Sequence, residues 1–213
     1  NQDLSNKNWP FMRSGNLSIA GVSCLALRIS FTGDLGWEIY CEASKQNIVY
    51  ESLIQEAFNG KGGPVGSRAL MSLRIEKGYG SWSREYSPEV WPHECGLDKL
   101  CKLDKEFLNK GELEKKLKTK PREILMLIHL NEEDCRSSNA DATGGEPVFK
   151  NGKGLGRITS GAYGYTVGMS LALGYLKDAI PGDNVEVMVL GQPHRGKVLE
   201  APPFDPDGII LRG

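Results

Sequence analysis

A chain of 213 residues lies between one large domain and two small ones, and it can bury a sizeable core. Its 26 Lys and Arg against 27 Asp and Glu leave a net charge of -1, with no block of like charge long enough to point to nucleic acid or an anionic membrane as partner. No run of about 18 apolar residues occurs, which excludes a bilayer-spanning helix.

The opening Asn1-Gln2-Asp3-Leu4-Ser5 has neither an initiator methionine nor the basic start and apolar stretch of a signal peptide. It reads as the middle of a longer polypeptide, cytoplasmic or, in a eukaryote, from the mitochondrial matrix. Cys24, Cys41, Cys95, Cys101 and Cys135 are odd in number and form no Cys-x-x-Cys pair, and His93, His129 and His194 lie far apart, so reduced thiols and no metal site are expected.

In chain order, residues 16–29 read as a strand that feeds the segment Ser30-Phe31-Thr32-Gly33-Asp34-Leu35-Gly36-Trp37-Glu38-Ile39-Tyr40. Leu27, Ile29 and Phe31 alternate with Arg28 and Ser30, giving the incoming strand one buried face. Gly33 and Gly36 relax the backbone, and the alternation then resumes with Trp37, Ile39 and Cys41 on one face and Glu38 and Tyr40 on the other. A carboxylate beside a phenol suits a flat heterocycle that carries N–H donors, and a plainly solvated strand face is the alternative.

A helix follows from Ser44 as N-cap, with Ile48, Val49, Ser52, Leu53, Glu56 and Ala57 at helical spacing, closed by Asn59-Gly60 and Gly62-Gly63-Pro64. A second runs from about Ser67 to Lys77 with Gly78 beyond its end, and carries Arg74 and Glu76, either as an exposed pair or with Arg74 as a buried cation. Pro88 to Leu97 is a loop of large residues, and Phe107 to Leu117 a charged surface helix opened by Asp104 or Asn109. Beyond the Lys-Thr-Lys-Pro linker at 118–121 the pattern is of strands: Glu123–Leu130, Pro147–Phe149, an Asn151-Gly152 turn, Leu155–Ser160, Met169–Leu176 and Val185–Leu190. Such spacing predicts a small antiparallel barrel.

The Phe31-Thr32-Gly33-Asp34-x-Gly36-Trp37-Glu38 run resembles the aminomethyltransferase superfamily, that of the glycine-cleavage T-protein and the folate-binding portions of dimethylglycine and sarcosine dehydrogenases. Two further blocks match in order, Gly66-x-x-Ala69-x-x-x-Leu73-Arg74-Ile75-Glu76-x-Gly78 and Pro92-x-Glu94-x-Gly96-Leu97, and Gly156-x-Ile158-Thr159-Ser160-Gly161 and Pro203-Phe204-Asp205-Pro206 resemble the family's barrel. The resemblance implies that Glu38 hydrogen-bonds the pterin of tetrahydrofolate, within a folate-binding set of Phe31, Glu38, Ile39, Tyr40, Arg74, Trp82 and Lys99. Lys99 is a departure, because dehydrogenase-like members carry an aromatic there; the lysine either reaches the glutamate tail of folate or is simply exposed. Trp82 is either an aromatic wall or a core residue.

The resemblance covers only the latter portion of a family member. The family's aspartate near the reactive folate nitrogens lies upstream, so no catalytic residue is assigned, and FAD is expected only in an upstream domain. The implied architecture is α+β: a partial folate-binding domain with a mixed sheet over 1–120, then an antiparallel β-barrel over 121–213. The implied activity is transfer of a one-carbon unit from a methylated amine or aminomethyl carrier to tetrahydrofolate, the fragment alone being inactive. The alternative is a non-catalytic folate-sensing or structural module of a larger oxidoreductase or regulator. Expected partners are folate, the methylated-amine-derived donor, the upstream domain or subunit and, where the front portion lacks its neighbour, another copy of itself. Gly-x-x-x-x-Gly-Lys-Ser/Thr, Gly-x-Gly-x-x-Gly after a strand and Gly-x-Ser-x-Gly motifs are all missing, which argues against nucleotide and serine-hydrolase chemistry.

Overall fold

A computed structural model describes residues 3–213 and resolves them into two compact units, one formed by the chain up to Met71 with Phe204–Gly213, the other by Ser72–Pro203. In the first unit, β1 (Ser14–Ile19) and β2 (Val22–Leu27) form an antiparallel hairpin, and β3 (Glu38–Tyr40) pairs antiparallel with β2. The single strand expected over 16–29 is therefore two. Ala20 and Gly21 both have positive φ, 49° and 79°, the backbone a tight two-residue hairpin turn needs. Only the glycine was a local signal; the inward row changes from odd positions (Leu17, Ile19) to even ones (Val22, Cys24, Ala26) across the turn, as a two-residue hairpin requires.

Helix α1 (Gln46–Asn59) follows a short 3-10 turn at Ala43–Lys45 and ends at Gly60. Ser44 does not cap it: its hydroxyl donates to the Glu42 carboxylate at 2.5 Å, and the N-cap position falls on Lys45. The core of this unit is Trp9, Leu17, Cys24, Ala26 and Val49, with Trp37, Ile39 and Cys41 packed against it as the alternation requires. Helix α2 (Ser67–Glu76) contains the boundary between the units.

The second unit holds α3 (Lys110–Leu117), β4 (Ile124–Leu130), α4 (Glu132–Ser138), β5 (Pro147–Lys150), β6 (Lys153–Gly164), β7 (Met169–Leu176), β8 (Asn184–Val189) and β9 (Gln192–Val198). Its strands close into a barrel in the order β4-β7-β6-β5-β8-β9, all pairs antiparallel. The α+β class with an antiparallel barrel therefore holds, but where a mixed sheet was expected in the front portion, the described strands pair only antiparallel. Two elements were not foreseen. Helix α4 is announced by Asn131, whose side chain accepts from the Glu133 and Asp134 amides, and by three acids in its first turn. Strand β9 was hidden by Pro193 and by its alternating lysine, arginine and glycine. A last short helix, α5 (Ile209–Arg212), belongs with the first unit.

The Thr159-Ser160-Gly161 signature sits at a register shift in the β6–β7 ladder, between Ile158 and Ser160. Gly161 is required by close backbone approach: a Cβ there would lie 2.2 Å from the Ala142 carbonyl oxygen. Gly161→Ala should therefore destabilise the barrel by about 1–3 kcal/mol, while Gly154→Ala, whose Cβ would meet nothing nearer than Phe149 at 3.9 Å, should change the urea midpoint little. Equal midpoints for the two variants would contradict this reading.

A closed barrel has no free strand edge, whereas the three-stranded sheet has two and a much smaller core. Amide hydrogen exchange on the chain in isolation should show β4–β9 protected by at least tenfold more than β1–β3. Uniform protection across both units would show that the front unit needs no further partner.

Candidate functional site

Strand β3 presents its two polar residues together. Glu38 and Tyr40 are exposed on the same face, and the Tyr40 hydroxyl donates to Glu38 Oε2 at 2.6 Å. This bond, and the nearby negative charge, raise the Tyr40 pKa above that of an ordinary phenol, so the ring stays a neutral donor. Ile39 points the other way, into the packed face, where with Leu17, Ile19, Leu35, Trp37 and Leu53 it walls a cavity of about 690 Å³. The cavity is open, its side-chain walls are mostly apolar, and neither Glu38 nor Tyr40 lines it. Chemistry and concavity therefore fall on opposite sides of one strand.

The segment leading to β3 is folded by its own side chains. The Ser30 hydroxyl accepts from the Gly33 amide at 3.1 Å, and the Thr32 hydroxyl donates to Asp34 at 2.8 Å. Phe31 is half-buried in this loop. The expected faces are reversed here: Arg28, assigned to the polar face, is 1% exposed and continues the buried row of Cys24 and Ala26, while Leu27, Ile29 and Phe31 are only half-buried. The period of two is kept through Arg28, and it is the phase that differs, because Cys24 and Ala26 rather than Leu25 and Leu27 face the core of this unit.

In the second unit Arg74 is 0% exposed and Glu76 is as deeply buried, so they are not a surface pair. Arg74 Nη1 donates to the Tyr79 carbonyl at 2.8 Å and to Glu85 Oε2 at 3.1 Å, while its Nε and Nη2 have no hydrogen-bond partner among the described residues. Glu85 is fully buried. It also accepts from the Ser81 amide and hydroxyl, from Thr159 at 2.7 Å and from Ser160. Burial alone pushes this carboxyl up, but the Ser160, Thr159 and Ser81 donors and Arg74 together bring it below its ordinary value. Glu76 accepts from the Thr166 amide at 2.7 Å in the β6–β7 turn. The Leu73-Arg74-Ile75-Glu76 block is thus a docking device between α2, the 79–86 segment and the barrel wall. Trp82, by contrast, is 72% exposed rather than core, and Lys99 is exposed.

The Pro92-x-Glu94 block has a similar role. Glu94 is buried, accepts from the Trp91 amide at 2.9 Å, and takes both a backbone and two guanidinium bonds from Arg122 at the entry to β4. The Arg122 guanidinium holds the Glu94 carboxyl at about 2 instead of 4.5. Since the folded value is depressed, this contribution is complete above the unfolded pKa and is lost as pH falls from about 5 toward 2, on the order of 2 kcal/mol once the exposure of Arg122 is allowed for. Glu94→Gln should lower stability at pH 7 and flatten the acid limb of a stability-against-pH curve over that window; an unchanged limb would remove Glu94 as its cause.

Of the residues singled out from sequence, the structure therefore brings Glu38 and Tyr40 into direct contact, with Phe31 and Ile39 in the same unit. Arg74, Trp82 and Lys99 belong to the second unit. Arg28 and Glu85 themselves had no distinguishing sequence signal, since each reads as an ordinary charged residue, whereas the Glu85 partners Arg74, Thr159 and Ser160 lie in the blocks that carry the resemblance.

A sequence model of the GCVT N-terminal domain matches residues 1–105, and one of the glycine cleavage T-protein C-terminal barrel domain matches residues 127–205. The chain belongs to the glycine-cleavage T-protein, or aminomethyltransferase, superfamily. Relatives include the mitochondrial dimethylglycine dehydrogenase of Mus musculus, 31% identical over 94% of this chain and 23% of its own length, and the mitochondrial sarcosine dehydrogenase of the same organism, 33% identical over 99% and 24%. The aminomethyltransferase of Thermotoga petrophila is 34% identical over 86% of this chain and 48% of its own. The chain thus spans about a quarter of the dehydrogenases and about half of the transferase. The crystal structure of glycine cleavage system aminomethyltransferase T from Bartonella henselae superposes with a TM-score of 0.80 at 20% identity, covering 95% of this chain and 55% of that one, and so shares the fold.

Proposed function

We propose that the Glu38 face of β3 holds the pterin ring of tetrahydrofolate, within a protein that passes a one-carbon unit from a methylated amine or aminomethyl carrier to that folate. Membership in the aminomethyltransferase superfamily supports the reaction class, and the names of the relatives support either a methylated amino acid or an aminomethyl group as donor. The observation that carries the residue assignment is the exposed carboxylate of Glu38 fixed by the Tyr40 hydroxyl.

The chemistry fits the pterin. Its amino and ring N–H groups are adjacent donors, and an ionised carboxylate is acceptor-only with about four lone-pair sites. Tyr40 occupies one of these on Oε2 and thereby fixes the rotamer, leaving sites for two incoming donors. Tyr40 and Phe31 supply ring faces, and Ile39 anchors the strand from behind. Arg74, being buried and bound to Glu85, has a positioning part in this reading, while Trp82 and Lys99 stay candidates by their exposure. Bound folate would supply the nucleophilic nitrogen; the residues named here hold and orient it, and such orientation is worth up to roughly 7 kcal/mol of a barrier. A flavin, if the protein uses one, belongs to a separate upstream domain, and residues 1–120 are read as the latter part of the folate-binding domain.

Glu38→Gln keeps the shape but turns one acceptor toward the pterin donors into a donor. Each charge-assisted bond is worth about 1.5–3 kcal/mol, so folate affinity of the full-length protein should drop roughly tenfold to a thousandfold, with thermal stability nearly unchanged because the carboxylate is exposed. Calorimetric titration is the check, and undiminished affinity removes Glu38 from the site. A non-catalytic folate-sensing module is separated from the transferase by turnover: the transferase makes 5,10-methylenetetrahydrofolate from the amine only when folate is added, and the module does not.

A further inference from the structure

Arg28 is a buried cation with no carboxylate partner among the described residues. Its Nη1 donates to the Leu211 carbonyl at 3.2 Å and to the Gly36 carbonyl at 3.5 Å, its guanidinium lies 5.5 Å from the centroid of Trp37, and among these residues Nη2 has no hydrogen-bond partner. Burying a charge on such terms costs free energy that an apolar side chain would avoid. What a guanidinium offers in return is geometry, because a rigid planar fork can hold several points at once.

Those points are the two ends of the loop that delivers Glu38. Its backbone begins where Arg28 pairs with residues 12 and 13, the Arg28 amide donating to the Arg13 carbonyl at 2.8 Å and the Arg28 carbonyl accepting from the Met12 amide at 2.8 Å. It closes where Gly36 returns against Ile29, so tightly that a Cβ on Gly36 would lie 2.8 Å from the Ile29 carbonyl oxygen. Trp37, the next residue, packs edge-on against Trp9 at 5.3 Å and directly precedes β3. The third point, Leu211, lies in α5, whose turn is held by Asp205 accepting from the Ile209, Ile210 and Leu211 amides. The last residues of the chain are thereby tied to the loop 183 positions earlier.

We infer that Arg28 is a positioning residue for the folate site, clamping Gly36, Trp37 and the α5 carbonyl of Leu211 so that β3 presents Glu38 at a fixed height and angle. The inference rests on the folate reading of Glu38. It makes the C-terminal segment a part of the site's scaffold.

The test is a coupling measurement in the full-length protein. Arg28→Met, which keeps the length of the stem, should weaken tetrahydrofolate binding about tenfold, and Arg28→Lys, which restores one donor, by about threefold. In a Glu38→Gln background Arg28→Met should cost less than twofold, since the carboxylate it positions is gone; a general loss of structure would cost the same in both backgrounds. A tenfold loss in both backgrounds therefore overturns the inference. A second readout needs no folate: amide exchange over residues 29–40 should quicken at least fivefold in Arg28→Met while β4–β9 keep their parental rates, and unchanged exchange in 29–40 overturns the clamp. If Arg28→Met fails to fold, Asp205→Asn, which loosens α5 while keeping a side chain that tolerates the left-handed backbone at 205, should give the same local quickening. Failure of the parent to bind folate while these exchange changes appear would overturn the folate reading and leave the clamp standing.

Discussion

The second unit depends on one buried carboxylate. Glu85 gathers the Arg74 guanidinium, the Ser81 backbone and hydroxyl, and the Thr159 and Ser160 hydroxyls onto its two oxygens, and its own carbonyl accepts from Tyr175 at 2.7 Å. A helix end, an irregular segment and two barrel strands meet there. The pair itself is not a strong source of stability, since desolvation offsets much of its attraction; its consequence is specificity, because removing either partner strands a buried charge at a cost of about 3–5 kcal/mol. The bulge at Thr159 follows from the same constraint. By shifting the register it lets two successive hydroxyls of β6 reach Glu85, where a regular strand would turn one away.

The first unit uses a similar device with a different chemistry. Arg28 is buried against carbonyls and an indole face instead of a carboxylate, and it organises a loop where Glu85 organises a helix and a barrel wall. In both units the buried charge sits close in sequence to the residues of interest and yet makes contacts with distant parts of the chain. Short motifs that carry a family resemblance are therefore of two kinds in this protein. The Arg74, Glu76 and Glu94 blocks record how the structure is fastened, and the Glu38 block records what faces solvent and is available for a ligand.

That distinction matters for the functional reading. Glu38 and Tyr40 are exposed, carry no packing duty and are bonded to each other, which is the arrangement expected of groups waiting for a partner with N–H donors. The cavity behind them is walled by Trp37, Ile39 and Leu53 among others, and neither Glu38 nor Tyr40 faces it.

The sequence by itself determined the class of the fold, the helix from the forties to Asn59, the α2 helix, most barrel strands and the inward and outward faces of β3, because these follow from local periodicity and from glycine and proline punctuation. Its motif order was enough to give the superfamily. Tertiary structure alone decided which charges are buried. Arg28, Glu76, Glu85 and Glu94 look in sequence like residues for a solvated face, and for Arg74 the sequence left burial open; their partners include groups as far as 183 positions away, which no local pattern encodes. The hairpin at Ala20-Gly21 and the strand β9 were missed for a related reason: a two-residue turn inside an apolar-rich run, and a strand rich in polar residues, are legible only once the neighbouring strand that pairs with them is in place.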